Sequence, residues 1–113
     1  MINEDRVSGG NGFPTHGHSN AEIFSYIVKG ALLHKDSMNN KEVLKRGEVQ
    51  FTTAGTGMRH SEYNADEEEP VHFIQIWVKP NKQGVLFLRC LIAFHAHSLL
   101  VLSGLKPGYQ TKK

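Results

Sequence analysis

Four side chains with metal-ligand chemistry occur as two pairs with the same spacing. His16 and His18 lie in the segment THGH, and His60 and Glu62 lie in the segment RHSE. In an extended strand, residues i and i+2 project from the same face. Two such strands lying side by side would direct three imidazoles and one carboxylate toward one point. The spacing therefore predicts a divalent-metal site formed by these four residues.

The ligand types narrow the choice of metal. Imidazole and carboxylate suit iron, manganese, nickel, copper or zinc, and the set contains no thiolate of the kind that favours a structural zinc site. Four protein ligands on an octahedral ion leave two positions open for a substrate oxygen together with dioxygen or water. We expect Fe(II), because histidine–carboxylate sets with open positions are typical of non-haem iron oxygenases.

Two further features could contribute to such a site. His95 and His97 form another His-x-His pair, but they lie in an apolar run without a carboxylate, so we do not predict them to be ligands. Glu22 lies four residues after His18, so both side chains would point to the same face if the two residues belonged to one extended strand. We expect it beside the site, where it would orient a histidine or line the cavity.

Three residues near the predicted ligands are expected to have ordinary surface roles. His34 and His72 are each predicted to lie on the surface of a strand. Arg59 precedes a predicted ligand and should point to the opposite face, where an ion pair is the simplest expectation. Trp77, with other aromatic residues of the predicted strands, is expected in the core.

The composition of the chain limits the classes of protein to which it can belong. The chain has 113 residues, of which 39% are hydrophobic, which fits one domain with a modest core. The net charge is +2 and no basic stripe is visible, so direct nucleic-acid binding is not expected. The single cysteine, Cys90, cannot form an internal disulfide, and the polar N-terminus does not resemble a secretory signal. These features favour an intracellular protein, and no membrane span is expected.

Short β-rich segments recur along the chain with turn residues between them. This pattern predicts an antiparallel β-barrel or sandwich, with no convincing helix before residue 85. The segment 85–102 is neither cleanly alternating nor cleanly amphipathic, so a buried helix, a long strand and a segment outside the fold all stay open. The predicted strands are 15–18, 22–29, 31–35, 41–44, 49–52, 59–63 and 71–78.

Three blocks in order resemble the N-terminal cupin domain of the pirin family. They are HGHSNAEIFSYIVKG, KRGEVQFTTAGTGMRHSEYN and HFIQIWVKPN, and the resemblance covers roughly residues 3–84. The first block resembles the first cupin motif, although Gly17 stands where the family commonly has proline, and the second block resembles the second cupin motif. The resemblance implies one cupin-type antiparallel β-barrel or jelly roll. It also implies that His16, His18, His60 and Glu62 bind one metal, usually iron.

The resemblance also suggests a division of the chain. Residues 1–84 would form the pirin-like domain, 85–104 an apolar insertion, and 105–113 a short tail that resembles the continuation of the domain. Deleting the insertion restores a family-like junction, so we consider both a translated intron and a genuine insertion. The family's strands before Asn3 and its C-terminal cupin domain are not found in this sequence, which makes the predicted domain incomplete.

Three functions follow as hypotheses from this resemblance. The first is a quercetin 2,3-dioxygenase-like enzyme acting on a flavonol such as quercetin, with Glu62 as both ligand and general base. The second is a non-enzymatic module whose iron redox state controls contact with a transcription factor, as in nuclear members of the family. The third is a truncated product that does not fold stably, because missing strands leave open sheet edges. The first two predict a cytoplasmic or nuclear protein.

Overall fold

The computed structural model describes the backbone of residues 1–84, 88–95 and 98–102, and the side chains of residues 1–84. This part of the chain is all-β, as predicted, and no helix in it is long and apolar enough to cross a membrane. Its strands are β1 (Ile2–Val7), β2 (Gly12–His18), β3 (Glu22–Lys29), β4 (Ala31–Asp36), β5 (Lys41–Lys45), β6 (Glu48–Thr53), β7 (Met58–Asn64), β8 (Val71–Val78), β9 (Leu88–His95) and β10 (Ser98–Leu102).

The strands form two antiparallel sheets. One has the order β1-β8-β3-β6-β9-β10 and the other the order β2-β7-β4-β5. Apart from the hairpin β4–β5, which lies wholly in the smaller sheet, successive strands from β1 to β8 alternate between the sheets, as in a jelly roll. The predicted class, an antiparallel barrel or jelly roll, is therefore confirmed.

The space between the sheets changes from apolar to polar along its strands. Ile27 on β3 pairs with Phe73 on β8, and both are fully buried. Two residues further along each strand, Ser25 pairs with Gln75, and both are also buried. Because side chains alternate across a strand, these four residues share the inward face. The apolar core is completed by Leu32, Leu44 and Val71.

All seven predicted strands are present, with ends extended by up to three residues. Strand β1 was not predicted, because Asn3–Arg6 is polar. It forms an edge of the larger sheet by pairing with β8, and an edge strand needs fewer apolar residues than a central one. In the segment whose structure was left open, β9 pairs with β6 and β10 pairs with β9. His97 and the predicted tail 105–113 lie outside the described residues.

Two glycines of β2 allow a matched test of how closely β2 and β7 must approach. A Cβ at Gly12 would overlap backbone atoms of Glu62 and Tyr63, whereas a Cβ at Gly17 would meet its nearest atom at 3.7 Å. We expect Gly12→Ala to lower the free energy of unfolding by about 1–3 kcal/mol, as overpacking does. Gly17→Ala should raise it by about 0.5 kcal/mol, because alanine loses less backbone entropy on folding. Urea unfolding measures both, and equal effects would contradict the close approach at Gly12.

Candidate metal centre

The order of the smaller sheet brings the two predicted ligand pairs together. Strand β7 lies between β2 and β4, and its residues His60 and Glu62 are both 3% exposed and face the interior. His60 lies directly across from His16 on β2. Glu62 lies directly across from His34 on β4. The i, i+2 spacing thus places both β7 side chains inward, as the parity argument requires.

A β-bulge in β2 aims its histidines into the interior. The register shifts between Phe13 and His16, so that three residue steps on β2 span two steps on β7. Without the extra residue, Thr15 would lie opposite His60, and the histidines of β2 would face the other way. Pro14 lies inside this shift, where a missing N–H costs the ladder little. The bulge therefore decides which side chains of β2 reach the centre.

Three imidazole nitrogens converge at this point. The Nε2 atom of His60 lies 2.8 Å from Nε2 of His16 and 3.0 Å from Nε2 of His18. The Nδ1–H of His16 donates to the carbonyl oxygen of Pro14 at 2.8 Å, a carbonyl within the bulge. This hydrogen bond holds the His16 tautomer whose Nε2 carries a free lone pair, the form that binds metals.

The donor set fits a metal ion. Ligand nitrogens about 2.1 Å from a metal and at right angles to one another lie about 3 Å apart, close to the distances from His60 Nε2 to the other two Nε2 atoms. The Nε2 atom of His60 carries either a proton or a lone pair, so a hydrogen bond can satisfy only one of its two contacts, whereas a cation among the three nitrogens would satisfy both. In addition, His60 Nδ1 is buried without a hydrogen-bond partner among the described residues. This imidazole is therefore held by its surroundings and not by a hydrogen bond at Nδ1.

Burial favours the neutral form of His60 and of His18. It lowers the pKa of His60 to about 3, with further lowering by the neighbouring charges of His34, His16 and His18. The pKa of His18 is also lowered, first by burial and then by His16. Neutral imidazole is the metal-binding form, so these two side chains would not need to lose a proton at pH 7 in order to bind a metal.

Glu62 lies beside His60, on the side of His34. Ligand atoms of His34, His60 and Glu62 lie within 4.8 Å of one another, as do those of His16, His18 and His60. The structure thus arranges the four predicted ligands in two groups that share His60. Burial raises the pKa of Glu62, while the hydrogen bond from Gln75 partly offsets this.

His34 was expected on a strand surface, and this prediction is wrong. Its side chain is fully buried, its Nε2 lies 3.3 Å from Oδ2 of Asp36, and its ring centroid lies 5.2 Å from that of His60. The parity of β4 explains this, since Leu32 also faces inward. Burial alone would raise the pKa of Asp36, but hydrogen bonds, first those from Asn40, lower it overall. The inward parity of Leu32 and His34 could have been recognised from the sequence.

Glu22 and Arg59 also differ from expectation. The backbone of Asn20 has φ 49°, which interrupts the extended chain between β2 and β3, so the parity of His18 does not carry over. Glu22 consequently lies on the opposite face of β3 from the buried Ile23.

Arg59 is exposed and forms no ion pair among the side chains that the structure describes. His72, by contrast, is a partly exposed strand residue as predicted, 2.7 Å from Glu4.

An open groove reaches the centre beside His18. Its volume is about 440 Å³, near the lower end of the range of about 300–1,000 Å³ for ligand pockets. Small and polar residues dominate the lining, which leaves room for a ligand next to the histidine. The lining residues are Gly17, His18, Ser19, Ser37, Gly57, Met58 and Arg59.

Residues of β8 complete the surroundings of the site, and the sequence did not indicate this. The ring of Trp77 packs edge-on against His18, with centroids 4.6 Å apart. Its Nε1–H donates to Oε1 of Gln75 at 3.1 Å, and Nε2 of Gln75 donates to both carboxylate oxygens of Glu62 at 3.3 Å. Trp77 is therefore part of the site and not simply a core residue.

Comparison with known proteins places these observations in a family context. The Pirin family model matches residues 1–78. The quercetin 2,3-dioxygenase of Escherichia coli K12 is 47% identical over 85 residues, which cover 75% of this chain and 37% of that protein. A putative quercetin 2,3-dioxygenase of Pseudomonas aeruginosa is 45% identical over 82 residues, covering 73% of this chain and 35% of that protein.

Solved structures agree with the fold. Escherichia coli YhhW has a TM-score of 0.82 and 44% identity, over 84% of this chain and 41% of its own. A structure described as bacterial pirin YhhW in complex with nickel(II) has a TM-score of 0.80 and 42% identity, over 83% of this chain and 41% of its own. A cupin protein of Bacteroides fragilis, at 23% identity and a TM-score of 0.58, shows the fold alone. The chain spans a little over a third of the length of the curated relatives it matches.

Proposed function

Since the chain belongs to the pirin family, we propose that it binds a divalent metal through His16, His18 and His60, with Glu62 beside them, and catalyses dioxygenation of a flavonol such as quercetin. The observation that carries this proposal is the convergence of three Nε2 atoms at 2.8 and 3.0 Å. Every residue of the proposed site lies within 1–84, the segment that we propose as the pirin-like domain. The relatives named as quercetin 2,3-dioxygenases support the substrate class.

The metal in this proposal is Fe(II), with nickel as the first alternative. Fe(II) is supported by the histidine and carboxylate donors, which are typical of non-haem iron oxygenases. Nickel is supported by the structure of YhhW in complex with nickel(II), a protein 42% identical to this chain. Manganese, copper and zinc also suit these ligands. When bound, the metal supplies a Lewis acid, and a redox-active one in the case of iron.

Glu62 is the candidate catalytic base. A carboxylate whose pKa is raised by burial is a stronger base toward a phenolic hydroxyl than an exposed one. The hydrogen bonds from Gln75 keep both oxygens oriented in the interior. A flavonol entering the groove beside His18 would pass Ser37 and Arg59 before reaching the centre. In this arrangement the chain binds and orients the substrate and accepts its proton.

The proposal is tested by incubating the iron- or nickel-loaded protein with quercetin and following quercetin absorbance and oxygen uptake together. We expect equal amounts of both to be consumed. Glu62→Gln should lower kcat by about 100-fold or more, the size of general base contributions. Turnover no faster than that of the metal-free protein would contradict dioxygenation. Metal binding without turnover would instead favour the redox-sensing module that contacts a transcription factor.

A further inference from the structure

Glu62 is held from the opposite sheet. It lies on β7 of the smaller sheet, whereas Gln75 lies on β8 of the larger one. Nε2 of Gln75 reaches across the interior to 3.3 Å from both carboxylate oxygens, and it also lies 3.2 Å from Oγ of Ser25. All three side chains are buried. The carboxylate is thus positioned by a long-range contact that the ladder around β7 does not provide.

The orientation of the Gln75 amide depends in turn on Trp77. An amide can rotate by half a turn and exchange its oxygen with its nitrogen, at little cost in shape. An indole N–H only donates, so the bond from Trp77 Nε1 at 3.1 Å requires Oε1 on that side of the amide. The donating Nε2 must then face Glu62. The reversed amide would place its oxygen against the carboxylate, where two acceptors repel.

We propose that Trp77 and Gln75 are positioning residues for the metal centre: the indole N–H fixes the orientation of the Gln75 amide, and the amide holds the carboxylate of Glu62 beside His60. This inference rests on the proposed metal site but not on the proposed reaction. It assigns two functions to Trp77, because its ring also packs against His18. One side chain therefore connects the histidine group and the carboxylate group of the site.

The role of the indole N–H can be isolated by substitution. Trp77→Phe keeps an aromatic ring beside His18 but removes the N–H, while Gln75→Leu removes the amide at similar volume. We expect each to lower Ni(II) affinity about 10–100-fold, as loss of an outer partner of a metal ligand does. The double variant should bind no more weakly than Gln75→Leu alone, since both changes act through one amide. Isothermal titration calorimetry of the full chain with Ni(II) measures this.

A second series separates positioning from general support of the fold. In a Glu62→Gln background, Trp77→Phe and Gln75→Leu should no longer change Ni(II) affinity, because the carboxylate through which they act is gone. The visible absorption of bound Co(II) should change in Gln75→Leu, since the surroundings of the ion change. Tyr26→Phe, which removes a hydroxyl group from the exposed face of β3, is the matched control and should change neither the Ni(II) affinity nor the Co(II) absorption.

The outcomes distinguish this inference from the function proposed above. Wild-type affinity in Trp77→Phe would overturn it, even if Gln75→Leu fails to fold. Additive losses in the double variant, or losses that persist without the Glu62 carboxylate, would also overturn it and leave the dioxygenase proposal in place. A wild-type chain that does not bind Ni(II) would overturn both. Absence of quercetin turnover with these affinities confirmed would reject only the reaction.

Discussion

Replacing His60 by alanine is expected to abolish metal binding at this site. His60 is the one residue shared by both groups of potential ligands, and its Nε2 contacts Nε2 of both His16 and His18. Losing a residue that only hydrogen-bonds to a metal ligand lowers metal affinity by up to about 100-fold. Loss of His60 itself should therefore lower the Ni(II) affinity by more than that. The measurement is quenching of tryptophan fluorescence by Ni(II), because Trp77 is the chain's single tryptophan and its ring lies 4.6 Å from His18.

The matched control is His72→Ala. His72 is also a strand histidine, but it lies at the surface of the larger sheet, where it is hydrogen-bonded to Glu4. Quenching by Ni(II) should be unchanged in this variant. Far-ultraviolet circular dichroism of both metal-free variants shows whether the strands persist. Full quenching in a folded His60→Ala variant would show that Ni(II) does not bind at the proposed site around His60.

The sequence predicts the parts of the site that depend on local periodicity. Alternation of side chains along a strand correctly places His60 and Glu62 on one face of β7, and no knowledge of neighbouring strands is required. The same reasoning fails for Glu22, because Asn20 interrupts the strand between the two positions. Alternation therefore predicts which face a side chain occupies within one strand, but it cannot be extended past a residue that leaves the extended conformation.

Features that depend on pairing between distant strands could not be predicted in this way. The bulge at Pro14 appears only when β2 is aligned with β7, and it decides where His16 points. The contact between Gln75 and Glu62 requires the packing of one sheet on the other. Each of these is a long-range property, whereas propensity and spacing describe neighbours along the chain.

The family resemblance supplies what spacing leaves open. One His/His pair and one His/Glu pair with i, i+2 spacing do not specify which strands are neighbours, whereas the strand order β2-β7-β4-β5 does. The resemblance to cupin motifs implied this arrangement, and the structure gives its register. The choice of metal depends on properties that neither the spacing nor the fold fixes, since the same donors suit several ions.

Phe73→Ala is expected to lower the free energy of unfolding by about 3–5 kcal/mol, the usual cost of removing a buried phenylalanine. Phe73 is fully buried between the sheets, in a cluster with Ile27 and Val71. Small domains have a total stability of about 5–15 kcal/mol, so the loss removes a large share of it. Urea unfolding measures the change. Ile76→Ala, on the exposed face of the same strand, should cost much less, and similar losses would contradict the assigned core.

The same variant tests whether the core positions the metal centre. The ring of Phe73 packs edge-on against Phe13, with centroids 6.4 Å apart, and Phe13 lies at the beginning of the bulge that aims His16. A metal that binds only the folded state stabilises it by about 2.7 kcal/mol at a free concentration of about 100 times Kd. At one fixed Ni(II) concentration, we expect a smaller gain in Phe73→Ala than in Ile76→Ala, because loss of the ring loosens the bulge and weakens binding. Equal gains would show that the strand ladder alone holds the histidines in place, independently of the core beneath them.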